Sequence, residues 1–168
     1  MGYRLFGCHP DQLMKMDVDG TDCRVPNQPE DEFGPPSSWI SFKFRKAANR
    51  FEVVTSILTG LICCIAGPYR AGKYNDITIF RIGGLKRLLR ECGEKTEADQ
   101  GYKGKSFTVE LPDDGEEDQY DEKQLVQNRH ETINGKIKNW QCMNKVFRHD
   151  INLHGTFFLL FAPFLTFK

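Results

Sequence analysis

Several patterns that mark common protein classes are missing from this chain of 168 residues. Its six cysteines form no C-x-x-C pair, so neither a zinc ribbon nor a small disulfide-linked secreted domain is indicated. A zinc site built from Cys8, His9 and Cys23 is an alternative, but no second pair of ligands follows it. We therefore expect reduced, mostly buried thiols in an intracellular protein.

Long apolar runs are also missing. The N-terminus has no apolar core of the kind found in a signal peptide. The two most apolar segments, Val53 to Gly67 and Phe157 to Phe167, are too short to cross a bilayer, so we expect no membrane association. A Walker motif is absent as well, because Gly67 to Lys73 reads GPYRAGK and lacks the G-x-x-x-x-G-K-[ST] spacing.

Charge is unevenly distributed, although the formal net charge of the chain is zero. Segment 112–122, PDDGEEDQYDE, contains seven acidic residues and no basic residue. The rest of the chain therefore carries an excess of seven positive charges. This distribution predicts an acidic loop on a basic body, which is compatible with a polyanionic partner.

Chain length and composition favour a single domain over residues 1–168, and the strands and helices predicted below make its class α/β. Leu13 to Val25 alternates apolar and polar residues, which predicts a half-buried strand that ends in a turn at Gly20 and Thr21. The same alternation predicts a strand over Trp39 to Lys46. Further strands are predicted for Phe51 to Leu58, Leu61 to Ala66 and Thr96 to Gly104.

Helices are predicted from Asn75 onwards. Asn75 and Asp76 form an N-cap signal for a helix through Ile82, and Leu85 to Cys92 has a helical apolar stripe. Asn128 to Trp140 is amphipathic at about 100° per residue. Its polar arc comprises Gln127, Asn128, Glu131, Asn134 and Lys138, and its apolar side comprises Val126, Ile133, Ile137 and Trp140. A last helix is predicted around Phe157 to Phe161, with an interruption at Pro163.

Three carboxylates stand out in this arrangement. Asp19 and Asp99 come from predicted strand ends, and Glu131 comes from a helix that could lie across the sheet. If these hard oxygen ligands converge with little cationic compensation, the cluster suits Mg²⁺ or Mn²⁺. Two such ions about 4 Å apart would activate a water and stabilise the leaving oxygen in phosphodiester cleavage.

Four sequence blocks carry a resemblance to a known family. VDGTDC, TGLICCIAGPYRAGKYNDITIF, ADQGYKG and NRHETINGKIKNW follow one another in the order found in the DDE-superfamily endonuclease domain of Harbinger-like eukaryotic transposases. The resemblance covers roughly Met16 to His154. It implies an RNase H-like mixed sheet flanked by helices, and a catalytic and metal-binding triad of Asp19, Asp99 and Glu131.

The same resemblance implies further site residues and partners. Asp76 is expected to be an accessory position, and so is Lys138, which lies two helical turns beyond Glu131. Double-stranded DNA is the expected partner in a nuclear protein, with a homo-oligomer as a further expectation. The expected contacts to the DNA backbone are Arg70, Lys73, Lys103 and Arg129.

The chain departs from the family in one respect that leaves an alternative open. Only 18 residues precede Asp19, and no helix-turn-helix or zinc module fits there. A separate DNA-binding partner protein would have to supply that module. The alternative to an endonuclease is therefore a truncated or domesticated transposase remnant, without catalysis, that acts at most as a DNA- or protein-binding module.

Overall fold

The computed structural model describes residues 3–4, 14–32, 34–57, 59–93, 95–98, 102, 109–110, 128 and 130–165. Six strands are present in these ranges: β1 Tyr3–Arg4, β2 Met14–Arg24, β3 Ala48–Ser56, β4 Ile62–Arg70, β5 Lys95–Ala98 and β6 Val109–Glu110. The helices are α1 Asp76–Ile82, α2 Leu85–Cys92, α3 over residues 130–139, α4 Gln141–Asn144 and α5 His154–Phe161. Short 3₁₀ helices cover Pro36–Trp39, Ile151–Leu153 and Ala162–Leu165.

The strands form one mixed sheet in the order β1-β4-β3-β2-β5-β6. β2 is the long central strand, and it pairs antiparallel with β3 and parallel with β5. β3 and β4 are antiparallel, whereas β5 and β6 are parallel. The prediction of an α/β architecture is therefore confirmed.

Each face of the sheet is covered by helices, because the strands alternate apolar side chains between the two faces. On the first face, Met16 and Val18 of β2 are buried against Phe80 of α1 and against Leu85 and Leu89 of α2. The spacing of these apolar side chains in the sequence accounts for this layer.

The second face packs against α3 and α5. Phe51 and Val53 of β3 are buried there with Ile137 of α3 and Phe158 of α5. The rings of Phe51 and Phe158 stack with centroids 4.1 Å apart, which adds a favourable aromatic contact to the area that they bury. The alternation of β2 therefore directs Asp17 and Asp19 towards α3.

Most of the predicted elements are confirmed, with small shifts of their ends. The predicted hairpin corresponds to β3 and β4, and the predicted helices beginning near Asp76 and at Leu85 correspond to α1 and α2. Asn75 is the N-cap of α1, because its side chain accepts a hydrogen bond of 3.0 Å from the Thr78 N–H, and Asp76 is the first residue of the helix. The last described elements are α5 and the turn of 3₁₀ helix after it, which contains Pro163.

Two predictions about local structure were wrong. The strand expected over Trp39 to Lys46 is absent, because Ser41 turns the chain by accepting hydrogen bonds from the N–H groups of Lys43 and Phe44 through its hydroxyl. The turn expected at Gly20 is also absent, since Gly20 continues β2 and pairs with Glu52. Among the described residues, no helix combines the length and apolar character needed to cross a membrane.

Candidate functional site

Asp19 lies where β2 extends beyond the described part of β5. The pairing of these two strands ends with Val18 opposite Ala98, and Asp19 is the next residue of β2. The side chain of Asp19 is half-buried, and its Oδ1 accepts a hydrogen bond of 2.7 Å from the Gly20 N–H. Its Oδ2 accepts one of 3.0 Å from Nδ2 of Asn134 on α3. Asp19 is therefore held against α3, next to the last described pair of β2 and β5, and the rim is defined as this position of β2.

Helix α3 is fixed on the sheet by the face that carries His130 and Asn134. His130 is buried, and its Nδ1 lies 2.6 Å from Oδ2 of Asp17, so the ring donates a hydrogen bond to this carboxylate. Glu131 is exposed and precedes Asn134 by three residues. Because residues three apart are neighbours on a helix surface, Glu131 lies on the side of α3 that reaches Asp19.

The third member of the predicted triad, Asp99, lies outside the described residues, as do Lys103, Arg129 and the acidic segment 112–122. Asp99 follows Ala98 in the sequence, just as Asp19 follows Val18, the residue that pairs with Ala98. Within the described part of the chain, no group of three His, Cys, Asp or Glu side chains is arranged to hold a metal ion. Of the predicted triad, the described residues therefore show Asp19 and Glu131, on two elements that the Asn134 hydrogen bond holds together.

Asp76, the predicted accessory residue, approaches the rim from α1. Its Oδ1 lies 3.2 Å from Nη1 of Arg50, and a Cβ added at Gly20 would overlap with the Asp76 carboxylate. This close approach explains why a glycine occupies the position after Asp19 although the strand does not turn there. Asp76 is therefore a neighbour of the rim on the α1 face of the sheet.

A buried ion-pair network continues along β2 beyond Gly20. Oδ1 and Oδ2 of Asp22 accept hydrogen bonds from Nε and Nη2 of Arg50 at 2.6 and 3.0 Å. The Ser41 hydroxyl donates to Oδ2 of the same carboxylate at 2.5 Å. Burial tends to lower the pKa of Arg50, but the hydrogen bonds and charges of Asp22 and Asp76 leave that pKa raised overall. This network joins three segments of the chain beside the rim.

Two of the predicted DNA-contacting cations, Arg70 and Lys73, are described, and so is the predicted accessory residue Lys138. Nζ of Lys138 donates to the Asp22 carbonyl oxygen and lies 3.6 Å from Sγ of Cys23. Arg70 forms an ion pair of 2.5 Å with Asp31 and stacks over Trp39. Lys73 is exposed, with Nζ 5.5 Å from the centre of the Tyr74 ring. Arg70 is thus engaged with protein groups, and Lys73 is exposed beside the Tyr74 ring.

Sequence reasoning missed the buried carboxyl of Glu52, which pairs in register with Gly20. Glu52 is 1% exposed, and its Oε1 accepts a hydrogen bond of 3.3 Å from the Tyr102 hydroxyl. Its Oε2 has no hydrogen-bond partner among the described residues. Burial raises the pKa of Glu52 to about 8, with a further contribution from the charge of Asp76. The alternation of β3 already places Glu52 on a buried face, so the pattern contained a signal for it.

We predict that Glu52 makes the protein less stable as the pH rises. In the unfolded chain the group ionises near its ordinary pKa of 4.5, and in the folded chain near 8. The cost of burying its charge is therefore absent below the lower pKa, grows between the two values and is complete above the higher one. Glu52→Gln removes this cost. The difference in free energy of unfolding between the variant and the wild type should therefore shift in favour of the variant by a few kcal/mol from about pH 5 to about pH 8.

Urea denaturation of both proteins at the two pH values measures this effect. Comparing the variant with the wild type at each pH cancels other titrating groups, such as His154, whose pKa is lowered to about 4 by burial and then by the charge of Lys138. A stability difference that does not change with pH would contradict the prediction.

Comparisons of the chain with models of known protein families, with curated proteins and with solved structures gave no match. The function of the chain is therefore inferred from its own residues and their geometry. Those residues form a sheet rim with one half-buried aspartate, a helix that holds it and an exposed glutamate beside the contact.

Proposed function

We propose that this chain is a divalent-metal-dependent DNA endonuclease domain of the DDE superfamily, similar to that of Harbinger-like transposases, with an RNase H-like fold. The observation that carries the proposal is the hydrogen bond from Asn134 to Asp19, which brings the Glu131 helix to the rim of the central strand. The strand directions support it, since an antiparallel β2-β3-β4 unit continued by parallel β5 and β6 is the mixed sheet expected of such a fold.

The proposal gives a role to the three carboxylates and to Asn134. Asp19, Asp99 and Glu131 would hold two Mg²⁺ or Mn²⁺ ions, which supply an activated water and stabilise the leaving oxygen. Asn134 fixes the orientation of the Asp19 carboxylate. Because the oxygens of Asp19 already accept hydrogen bonds, the carboxylate is positioned before any ligand arrives.

A second candidate function is a non-catalytic DNA- or protein-binding module. One observation favours it: both Asp19 oxygens already have hydrogen-bond partners, the Gly20 N–H and the Asn134 amide. Such a module would keep the fold and the polar contacts of the rim but would not respond to divalent metal.

Binding of Mn²⁺, measured by calorimetry, separates the two candidates. We expect saturable binding to the wild type and loss of that binding in the double variant Asp19→Asn, Asp99→Asn, because Mn²⁺ prefers ionised oxygen ligands. Circular dichroism of both proteins controls for folding. Identical heats from two folded proteins would reject the metal site and leave the non-catalytic module.

A further inference from the structure

An open groove lies between the end of β2 and the segment that follows α3. It has a volume of about 770 Å³, and none of the described residues that line it is acidic. The cations along it are Arg24, Lys145 and Arg148, and His149 adds a titratable ring. Lys145, Arg148 and His149 are exposed. The groove is therefore a concave surface with positive charge.

The wall of this groove is attached to β2 and packed on aromatic rings. The Phe147 N–H donates a hydrogen bond of 3.0 Å to the Arg24 carbonyl oxygen, which ties the segment to β2. Phe147 is buried and stacks on the His154 ring with centroids 4.3 Å apart. The rings of His149 and Phe157 are also parallel, with centroids 5.7 Å apart. The cations of the groove thus project from a packed aromatic base.

A second group of cations projects from the loop over residues 41–46, which reads SFKFRK. The loop is closed by hydrogen bonds from Ser41 N–H to the Lys46 carbonyl and from Arg45 N–H to the Ser41 carbonyl, at 3.0 and 2.8 Å. Its base is the buried contact between Ser41 and Asp22. Lys43, Arg45 and Lys46 are all exposed, and Phe42 is 74% exposed.

The loop and the groove meet at Phe44. The Arg24 guanidinium lies 5.5 Å from the centre of the Phe44 ring, and Nζ of Lys138 lies 5.6 Å from it. Both cations are therefore held on one aromatic side chain. The basic band is defined as the cations of the groove and of the loop: Arg24, Lys43, Arg45, Lys46, Lys145 and Arg148.

We propose that the basic band binds the phosphate backbone of duplex DNA beside the cleavage site; this inference rests on the proposed function. Exposed lysines and arginines on a rigid surface are the groups that fix the register of DNA through its phosphates. Asp19 and Arg24 are five residues apart on one strand, or about 17 Å. At 3.4 Å per base pair, a duplex that lies along β2 would contact the band about five base pairs from the scissile bond.

Fluorescence anisotropy with a labelled duplex in EDTA tests the band without requiring metal or cleavage. The test variant is Lys145→Gln, Arg148→Gln. Its control is Arg87→Gln, Arg90→Gln, which removes the same charge from exposed positions of α2, on the first face of the sheet. A second band variant, Lys43→Gln, Lys46→Gln, tests the loop separately. Circular dichroism checks that all variants fold.

We expect each band variant to weaken binding by about 10- to 60-fold at about 0.1 M salt. The plot of log K against log salt concentration, whose slope is negative, should become shallower by about two. The control should bind like the wild type. Band variants that bind like the control, or a wild type that does not bind the duplex, would overturn the inference. A wild type that binds the duplex but shows no saturable Mn²⁺ binding would instead reject only the nuclease proposal.

A competitor identifies the class of partner. Unlabelled duplex should displace the labelled duplex, whereas polyglutamate of equal total charge should do so much less well, because carboxylates lack the spacing of backbone phosphates. Equal displacement by polyglutamate would show that the band binds acidic protein segments and would overturn the assignment to DNA.

Discussion

Replacing Asp19 with asparagine is expected to lower the rate of Mn²⁺-dependent nicking of supercoiled plasmid by about 10³-fold. The substitution keeps the shape of the side chain and its hydrogen bond to the Gly20 N–H, so β2 should remain intact. It removes the negative charge with which the site would hold a divalent ion. Several kcal/mol of transition-state stabilisation depend on that ion, which gives the size of the expected loss.

Two further variants make this result specific to the site. Glu91→Gln removes one carboxylate from the exposed surface of α2 and should nick at the wild-type rate. Asn134→Ala removes only the group that orients Asp19, so a smaller loss of about 10- to 100-fold is expected. If Asp19→Asn nicks as fast as Glu91→Gln, Asp19 is not a metal ligand and the non-catalytic module is the better description.

The elements that sequence reasoning located correctly are those with a strong local signal. β2 is recognisable because Met16 and Val18 alternate with Asp17 and Asp19, and this alternation survives in the folded sheet. α1 is recognisable because Asn75 can satisfy an N–H group at the start of the helix. In both cases the tertiary structure reinforces the local preference, so pattern and fold agree.

The local predictions that were wrong depend on contacts between distant segments. Residues 39–46 alternate like a strand, but Ser41 is fixed by Asp22 and turns the chain, so Phe42 faces solvent instead of a core. Gly20 is a residue typical of turns, yet it continues β2 and pairs with Glu52, and its missing side chain leaves room for the Asp76 carboxylate. Neither contact can be inferred from the residues on each side of it.

In the candidate site too, some residues have a local sequence signal and others depend on contacts between distant segments. The carboxylates Asp19 and Glu131 could be selected from the sequence, but the groups that hold them could not. The sequence pattern places Asn134 in the polar arc of α3 and indicates no role for His130, although these two side chains attach the helix to β2. Polar residues at helical spacing usually indicate a solvated face, and here part of that face packs on the rim of a sheet instead.

Asp22→Ala is expected to destabilise the protein by about 3 kcal/mol, which corresponds to a fall in Tm of roughly 6–12 °C for a chain of this size. The reason is that Asp22 is 5% exposed and is the carboxylate that binds both Nε and Nη2 of Arg50. Without it, the largely buried guanidinium keeps the ion pair with Asp76, and the Ser41 hydroxyl loses its acceptor. Thermal unfolding followed by circular dichroism measures the change.

Asp31→Ala is the matched control, because Asp31 also forms a short ion pair with an arginine, Arg70, at 2.5 Å. The Asp31 side chain is 38% exposed, so water replaces much of what the substitution removes, and a loss of about 1 kcal/mol or less is expected. Equal losses in the two variants would mean that the Asp22 network adds no more than a surface ion pair. A much larger loss of stability in Asp22→Ala would show that the Asp22 network holds β2, β3 and the loop over residues 41–46 together beside Asp19.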